Sequence, residues 1–345
     1  MMSSASHSKN LESKKITIGV LMGGRSIERE VSLNSGRTVC DHLDTNCYTI
    51  IPLFQCQLGK LFILPWRFLH RGKIADFEHR LVQEAQQIVW DDLKEMIDLM
   101  YIALHGRYGE DGAVQGFLEI LHIPYVGSKV FASALGMNKS LQKTFLAARG
   151  IKIPESITIT PHHIDSLLHC SDEIVDLLKQ NNLAYPLFVK PVQEGSSLGV
   201  FRVDSLHDII KAVDHASSIT VGKKQPVIIE RALIGLEFSC IVIFDYLNGT
   251  YQALPPTEIV IESGKNFFDY EQKYMPGRAT KYTPARCSED VIEKIKACSI
   301  QVVQALGFMT LARIDGFVDS CGSVVITDPN SFSGLAPSSY AFLQA

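Results

Sequence analysis

No apolar run in the chain reaches the length of a membrane span, no block of basic residues stands out, and none of the eight cysteines sits in a C-x-x-C pair. The first absence argues against a transmembrane segment. Ile16-Thr-Ile-Gly-Val-Leu-Met22, preceded by Lys14 and Lys15, is too short for a signal sequence and reads as a strand. The second absence, with 33 basic against 37 acidic residues and a net charge of −4, argues against a nucleic-acid or membrane surface and favours a small-molecule partner. The third argues against a zinc site or a disulfide framework, so most of Cys40, Cys47, Cys56, Cys170, Cys240, Cys287, Cys298 and Cys321 read as small core residues of a cytoplasmic protein. There is no internal repeat and no low-complexity tract. The first glycine loop lacks G-x-G-x-x-G, which disfavours a dinucleotide-binding protein.

What is present is an α/β pattern. The 345 residues are enough for about two or three domains. Residues 1–13, polar and serine-rich, read as a disordered leader. From residue 14 to 126 the order is strand, glycine loop, helix, a second strand at Tyr48–Phe54, a longer connection from Gln55 to Trp90 with room for a hairpin and a helix, and a third strand over Met96–Leu104. Residues 127–226 read as helices up to Gly150, a strand near Ile157, a helix over Ile164–Gln180 and a strand pair around Lys190. Residues 227–345 begin with long strands, followed by an irregular loop over Ser263–Pro284 and a helix over Ser288–Ala305. Two closing strands, Leu311–Asp319 and Ser323–Asp328, turn at Cys321-Gly322.

The chemistry concentrates in loops at strand ends. Phe188-Val-Lys-Pro-Val-Gln-Glu-Gly-Ser-Ser-Leu-Gly-Val200 sets Lys190, Ser196 and Ser197 among glycines that let the backbone approach an anion, a phosphate clamp that is not a Walker loop. Read alone it is equally an ordinary glycine turn. Lys139 adds a second cation from another element. Gly23-Gly24-Arg25-Ser26-Ile27-Glu28-Arg29-Glu30 opens a helix, where Glu30 reads as a complement to the helix dipole and Glu28 as a receptor for an ammonium. His105 stands at a strand end, while Glu110 and Asp111 read as caps of the loop that follows it. Val227-Ile-Ile-Glu-Arg-Ala-Leu-Ile-Gly-Leu-Glu237 suits an adenine slot near Glu230 and Leu233, with a carboxylate for the ribose. Asp315 on one closing strand, with Asp328 and Asn330 at the end of the other, gives three hard oxygen ligands of the kind Mg²⁺ shares with phosphates. Arg313 shares a face with Asp315 because strand side chains alternate, and is placed to stabilise an oxyanion.

Together these residues resemble the D-alanine–D-alanine ligase family, over roughly residues 16 to 342. The resemblance is carried by Gly23 to Gly36, Leu104 to Gly112, Lys190-Pro191 with Glu194 to Ser197, Tyr270-Glu-Gln-Lys-Tyr274, and Arg313-Ile-Asp315. It implies an α/β protein, α+β in its C-terminal units, in which an N-terminal parallel-sheet preATP-grasp domain precedes a two-part ATP-grasp fold. It also implies a cytoplasmic enzyme that joins two D-alanines for peptidoglycan precursor synthesis, with ATP and two Mg²⁺ ions, Mn²⁺ being an alternative. Lys139, Lys190, Ser196 and Ser197 would meet phosphates, and Glu230, Arg231, Leu233 and Glu237 would surround adenosine. Asp315, Asp328 and Asn330 would hold the metals. Glu28 and His105 would meet the first D-alanine, Arg313 and the Gly334 N–H the oxyanion, and Lys273 and Ser339 the second substrate or the transferred phosphate. Ser196 and Tyr274 would link the Ser263–Pro284 loop to Glu28. The resemblance also implies a homodimer through the N-terminal unit, which relatives commonly form.

Asp328 replaces the family's glutamate, Asn138 its aspartate, Arg231 its lysine and Ser333 its proline. The family continues with a closing helical segment beyond the position of Ala345, which would leave Tyr340, Phe342 and Leu343 in need of cover. The alternatives are a ligase using D-lactate, against which Lys273-Tyr274 argues, a ligase using D-serine, and an ATP-binding module without catalysis.

Overall fold

The computed structural model describes residues 15–169, 171–195, 198–219, 224–261 and 279–345. The leader, Cys170, Ser196, Ser197, Lys273 and Tyr274 lie outside them.

The first sheet is built from β1 (Ile16–Gly23), β2 (Tyr48–Gln55), β3 (Leu61–Ile63), β4 (Gln86–Ile88), β5 (Leu99–Ile102) and β6 (Tyr125–Val126), in the order β4-β3-β2-β1-β5-β6. Strands β2, β1, β5 and β6 run parallel, whereas β3 and β4 add on as antiparallel strands from within the long connection. The apolar run of β1 is continuous because both of its faces are buried. Val20 and Met22 pack with Leu33, Phe54 and Phe77 on one side, and Leu21 packs with Leu53, Met100 and Leu118 on the other. Helix α1 (Arg29–His42) lies close over β1 at Gly36, where an added Cβ would come 2.7 Å from the Met22 Cβ. The third strand is shorter than expected, since Leu93–Met96 forms a helical turn closed by the Ile97 N–H donating to the Leu93 carbonyl. Helix α2 (Ala113–Ile120) returns the chain to β6.

Helices α3 (Val130–Met137) and α4 (Lys139–Ala148) come next. The second sheet is antiparallel, in the order β7-β10-β8-β9: β7 (Ser156–Ile159), β8 (Leu187–Pro191), β9 (Phe201–Val203) and β10 (Val227–Arg231). Its apolar face is covered by α5 (Pro161–His169), α6 (Ser171–Gln180) and α7 (Leu206–Ser217), so the single helix expected over Ile164–Gln180 is two. Val227–Arg231, expected to head the third unit, is instead the middle strand of this sheet, bonded to both β7 and β8.

The third sheet runs β14-β13-β11-β15-β16, with β12 on β11. Its strands are β11 (Leu236–Asp245), β12 (Thr250–Ala253), β13 (Thr257–Ile261), β14 (Ala279–Tyr282), β15 (Leu311–Val318) and β16 (Val324–Asn330). Strand β14 falls inside the stretch expected to be irregular, and it is ordered by pairing with β13. Helix α8 (Glu289–Leu306) packs on this sheet together with α3 and α4, sharing one core that includes Leu135, Leu146, Val302 and Phe308. The two helices that the sequence groups with the second unit are thus part of the third. Of the described cysteines Cys40, Cys56 and Cys240 are buried, while Cys47 and Cys321 are exposed. No helix among the described residues is long and apolar enough to cross a membrane.

The last helix, α9 (Tyr340–Gln344), is tied to the third sheet. Tyr340, expected to lack cover, is buried beside Ile241 and Ile259, whereas Phe342 and Leu343 are partly exposed. The Gln344 side chain accepts from the Ile241 N–H at 2.8 Å and donates to the Ser239 carbonyl at 2.8 Å and to Thr257 Oγ1 at 3.0 Å. These bonds tie the last helix to the backbone of β11 and to a side chain of β13. Gln344→Leu should therefore lower unfolding free energy by about 2 kcal/mol or more, since buried donors and acceptors lose their partners. Urea denaturation checks this, and an unchanged midpoint would contradict it.

Candidate functional site

A cavity of about 480 Å³ opens where the three sheets meet. Glu28, His105, Lys139 and Lys190 line it. So do Glu230, Arg231, Leu233 and Glu237 on one side and Arg313, Asp315, Asp328, Asn330, Gly334 and Ser339 on another. The structure therefore gathers every described candidate from the sequence around one space.

The first sheet contributes its C-terminal edge, where parallel sheets place their functional loops. Gly23 and Gly24 turn with φ of 87° and 94°, and Ser32 Oγ accepts from the Gly23 N–H at 2.9 Å while donating to the Ala103 carbonyl at 2.8 Å. Ser26 Oγ donates to the His105 carbonyl at 2.6 Å, joining this turn to the loop after β5. Glu28 is buried; a Cβ built on Gly106 would collide with its Oε2, and one built on Gly195 would come within 2.6 Å of the same atom. The two glycines thus let the carboxylate sit between the first sheet and the glycine-rich segment after β8. Glu30 lies in the first turn of α1, as a dipole complement does, and also accepts from the Ile74 N–H at 3.1 Å.

His105 Nε2 lies 2.9 Å from Ser35 Oγ, and Nδ1 lies 3.8 Å from Glu110 Oε2. Burial, assisted by the nearby Arg313 charge, pushes the imidazole pKa down to about 4, so the ring is neutral. Ser35 Oγ also accepts from the Leu335 N–H at 3.2 Å and so connects the histidine to the segment after Gly334. Glu110, read from the sequence as a loop cap, faces the cavity, and its Oε2 accepts from the Gly106 N–H at 2.6 Å. Burial first, then the negative charge of Glu28, pushes its pKa up to about 8.

Lys139 Nζ donates to the Glu194 carbonyl at 2.6 Å, next to the Gly195 that abuts Glu28. Glu230, 2 % exposed, lies between two lysines: a short bond joins Oε1 to Lys190, and Oε2 is 3.2 Å from Lys143 Nζ. Burial alone would raise the Glu230 pKa, but the two cations outweigh it and hold the carboxyl below its usual range. Lys143 is absent from the sequence reading. The available signal was its place four residues after Lys139, on the same face of α4. Asn138 still caps that helix in place of aspartate, accepting from the Leu141 N–H at 3.1 Å. Arg231 turns its side chain outward to Glu155, at 3.4 Å, and to the Asn182 carbonyl, at 3.0 Å.

The floor is the β15–β16 pair, in register Arg313↔Asn330 and Asp315↔Asp328 with a bulge after Asp315. Arg313 Nε lies 3.1 Å from both Asp315 carboxylate oxygens, and Ser239 Oγ donates to Oδ1 at 2.8 Å. Burial opposes the guanidinium charge, yet Asp315, Tyr340 and Asp328 outweigh it. Asn330 Nδ2 donates to the Asp328 carbonyl at 2.7 Å. Among the described residues no three or more His, Cys, Asp or Glu form a metal cage. Two facing carboxylates and an amide oxygen are nevertheless the donor chemistry of an ion that phosphates and water complete. Ser339 Oγ is buried without a hydrogen-bond partner, and Lys281, also unforeseen, lines the cavity with its ammonium 4.5 Å from the Tyr340 ring centroid.

Glu110 offers a test of this electrostatic picture. Its folded-state pKa lies above the ordinary carboxyl value of 4.5, so its stabilising contribution is full below that value and is lost as pH rises through about 8. Glu110→Gln, which resembles the protonated form, should match the wild-type Tm near about pH 5 and exceed it near about pH 9. A Tm difference independent of pH would contradict the assignment.

Two family models match: "D-ala D-ala ligase N-terminus" over residues 17–128 and "D-ala D-ala ligase C-terminus" over residues 145–344. A D-alanine–D-alanine ligase of Chlorobium luteolum is 35% identical over 339 residues, covering 93% of this chain and 89% of the relative. The D-alanine-D-alanine ligase of Coxiella burnetii superposes with a TM-score of 0.78 at 29% identity, covering 96% of this chain and 88% of the other. The VanG D-Ala:D-Ser ligase of Enterococcus faecalis superposes at 0.76 with 28% identity, covering 94% and 93%. The ATP complex of the Bacillus anthracis D-alanine–D-alanine ligase superposes at 0.69 with 26% identity, covering 95% and 90%.

Proposed function

The chain belongs to the D-alanine–D-alanine ligase family, and on that premise we propose that its cavity joins two D-alanine molecules, at the expense of ATP, into D-alanyl-D-alanine for peptidoglycan precursors. The protein is an ATP-dependent ligase with the ATP-grasp fold. The observation that carries the reading is one cavity lined together by a buried carboxylate, Glu28, by lysines 139 and 190, and by Arg313.

ATP lies between the second and third sheets, with Lys139 and Lys190 on its phosphates. Backbone groups from Glu230 to Leu233 meet the adenine edge, and Glu237 meets the ribose. Asp315, Asp328 and Asn330 would hold Mg²⁺, or Mn²⁺, which when bound supplies positive charge to the phosphates. Ser196, Ser197, Lys273 and Tyr274 would supply further phosphate, substrate and loop contacts.

Glu28 takes the ammonium of the first D-alanine, beside the neutral ring of His105. The substrate carboxylate oxygen then attacks the γ-phosphorus of ATP, and ADP departs. The resulting acyl phosphate is an electrophile that the carboxylate was not. The second D-alanine, bound through its carboxylate to the Ser339 hydroxyl, loses a proton and attacks the acyl carbon with its amine. Arg313 and the Gly334 N–H stabilise the oxyanion until phosphate leaves and the amide remains. Burial of this space favours the amine over water.

The chain acts in the cytoplasm and pairs with a second copy through the first unit, where exposed Ile120 extends the face on which Phe117 meets Trp90. A D-serine acceptor remains the second reading, favoured by the structural likeness to the D-Ala:D-Ser ligase.

Incubation with ATP, Mg²⁺ and equal D-alanine, D-serine and D-lactate should yield D-alanyl-D-alanine with one ADP and one phosphate per dipeptide. Bound ATP with no ADP formed from any acceptor would indicate a module without catalysis. Arg313→Ala should lower kcat by about a hundredfold or more while the Kd for ATP stays nearly unchanged. Undiminished turnover would remove Arg313 from the mechanism.

A further inference from the structure

Lys143 is a buried charge for which the reaction above has no use. Its side chain is 3 % exposed and, unlike Lys139 and Lys190, it does not line the cavity. It spans two sheets, with Nζ 3.2 Å from Glu230 Oε2 on β10 and donating at 2.8 Å to the Thr327 carbonyl on β16. Lys190 is more open, at 15 %, and reaches both the cavity and the other oxygen of Glu230.

We propose that Lys143 is a positioning residue for nucleotide binding: as the fixed counter-ion of Glu230, it frees Lys190 to engage the phosphates of ATP. The inference rests on the reading of this cavity as a nucleotide site. A carboxylate buried as deeply as Glu230 needs a paired cation, because removing one partner leaves an uncompensated charge. If Lys190 were the sole partner, its movement toward a triphosphate would strand Glu230, and that cost would be subtracted from ATP affinity. With Lys143 in place, one carboxylate faces two ammonium groups, and the surplus positive charge belongs to the lysine nearer the cavity. Burial lowers the Lys143 pKa and Glu230 opposes that effect, as a pair dependent on each other requires. The bond to Thr327 anchors the counter-ion next to Asp328, so the phosphate side and the metal side of the cavity share one fixed point.

The test is the affinity for ATP of the full chain with Mg²⁺, by calorimetry, together with steady-state kinetics. Lys143→Met should raise the Kd and KM for ATP about tenfold or more, with KM for D-alanine changed less than about twofold, and Lys143→Arg should restore most of the affinity. The double-mutant cycle with Glu230→Gln separates charge from packing. In the Glu230→Gln background, Lys143→Met should cost less than about threefold, because no carboxylate remains to be stranded. An equal cost in both backgrounds would overturn the inference and leave Lys143 as a packing group on Thr327. If Lys143→Met alone does not fold, the comparison of Lys143→Met/Glu230→Gln with Glu230→Gln decides on the same threshold. Wild-type chain that binds no ATP would remove the nucleotide reading itself, whereas wild-type binding undiminished in Lys143→Met would remove this inference alone.

Discussion

The pairing of Glu230 with Lys143 and Lys190 is the contact on which the geometry of the cavity depends. It is where the second sheet, through β8 and β10, meets α4 and β16 of the third. Charges this deeply buried are tolerated only when each finds a partner, and that demand fixes the two sheets relative to one another more tightly than apolar packing would. Gln142, the neighbour of Lys143 on α4, adds a bond of 2.8 Å to the Pro329 carbonyl. The strand bearing Asp328 and Asn330 is thereby held against the helix whose first residue is Lys139.

From this junction the charges of the cavity are arranged by role. Lys139, Lys190 and Arg313 bring positive charge to the cavity, and the acidic pair Glu28 and Glu110 lines it beside a histidine kept neutral by burial. Burial and the neighbouring Glu28 carboxylate push the Glu110 pKa up to about 8, so Glu110 keeps its proton near neutral pH. Arg313, held by Asp315 and positioned across from Asn330, lines the same cavity, where the proposed reaction would develop negative charge. Forming an amide in water requires both activation of the carboxylate and exclusion of solvent. A cavity walled by three sheets serves the second need, and ATP serves the first.

Much of this was legible in the sequence because it depends on local pattern. Strand alternation alone put Arg313 and Asp315 on one face, and the closing turn at Cys321-Gly322 brought Asp328 opposite Asp315. The glycine turns after β1 and around Gly195 marked places where a backbone or carboxylate comes close. What the sequence hid depends on distance along the chain. Lys143 finds its carbonyl 184 residues away, and Ser35 meets Leu335 from 300 residues away, so neither lysine nor serine carries a local signature of its role. The unit boundaries blurred for the same reason. Val227–Arg231 has the pattern of a first strand of the third sheet but pairs within the second, and α3 and α4 precede the second sheet yet bury their apolar faces against the third. Glu110 does cap its loop, at the Gly106 N–H, but only the fold shows Glu28 beside it.

The central claim is that the carboxylate of the first D-alanine is phosphorylated before the amide forms. The most direct test uses D-alanine carrying ¹⁸O in its carboxylate, with mass analysis of the phosphate released. Attack on the γ-phosphorus predicts one ¹⁸O atom in each phosphate. Phosphate without ¹⁸O, released alongside dipeptide, would show that ATP is cleaved by water and that the acyl group is activated by another route.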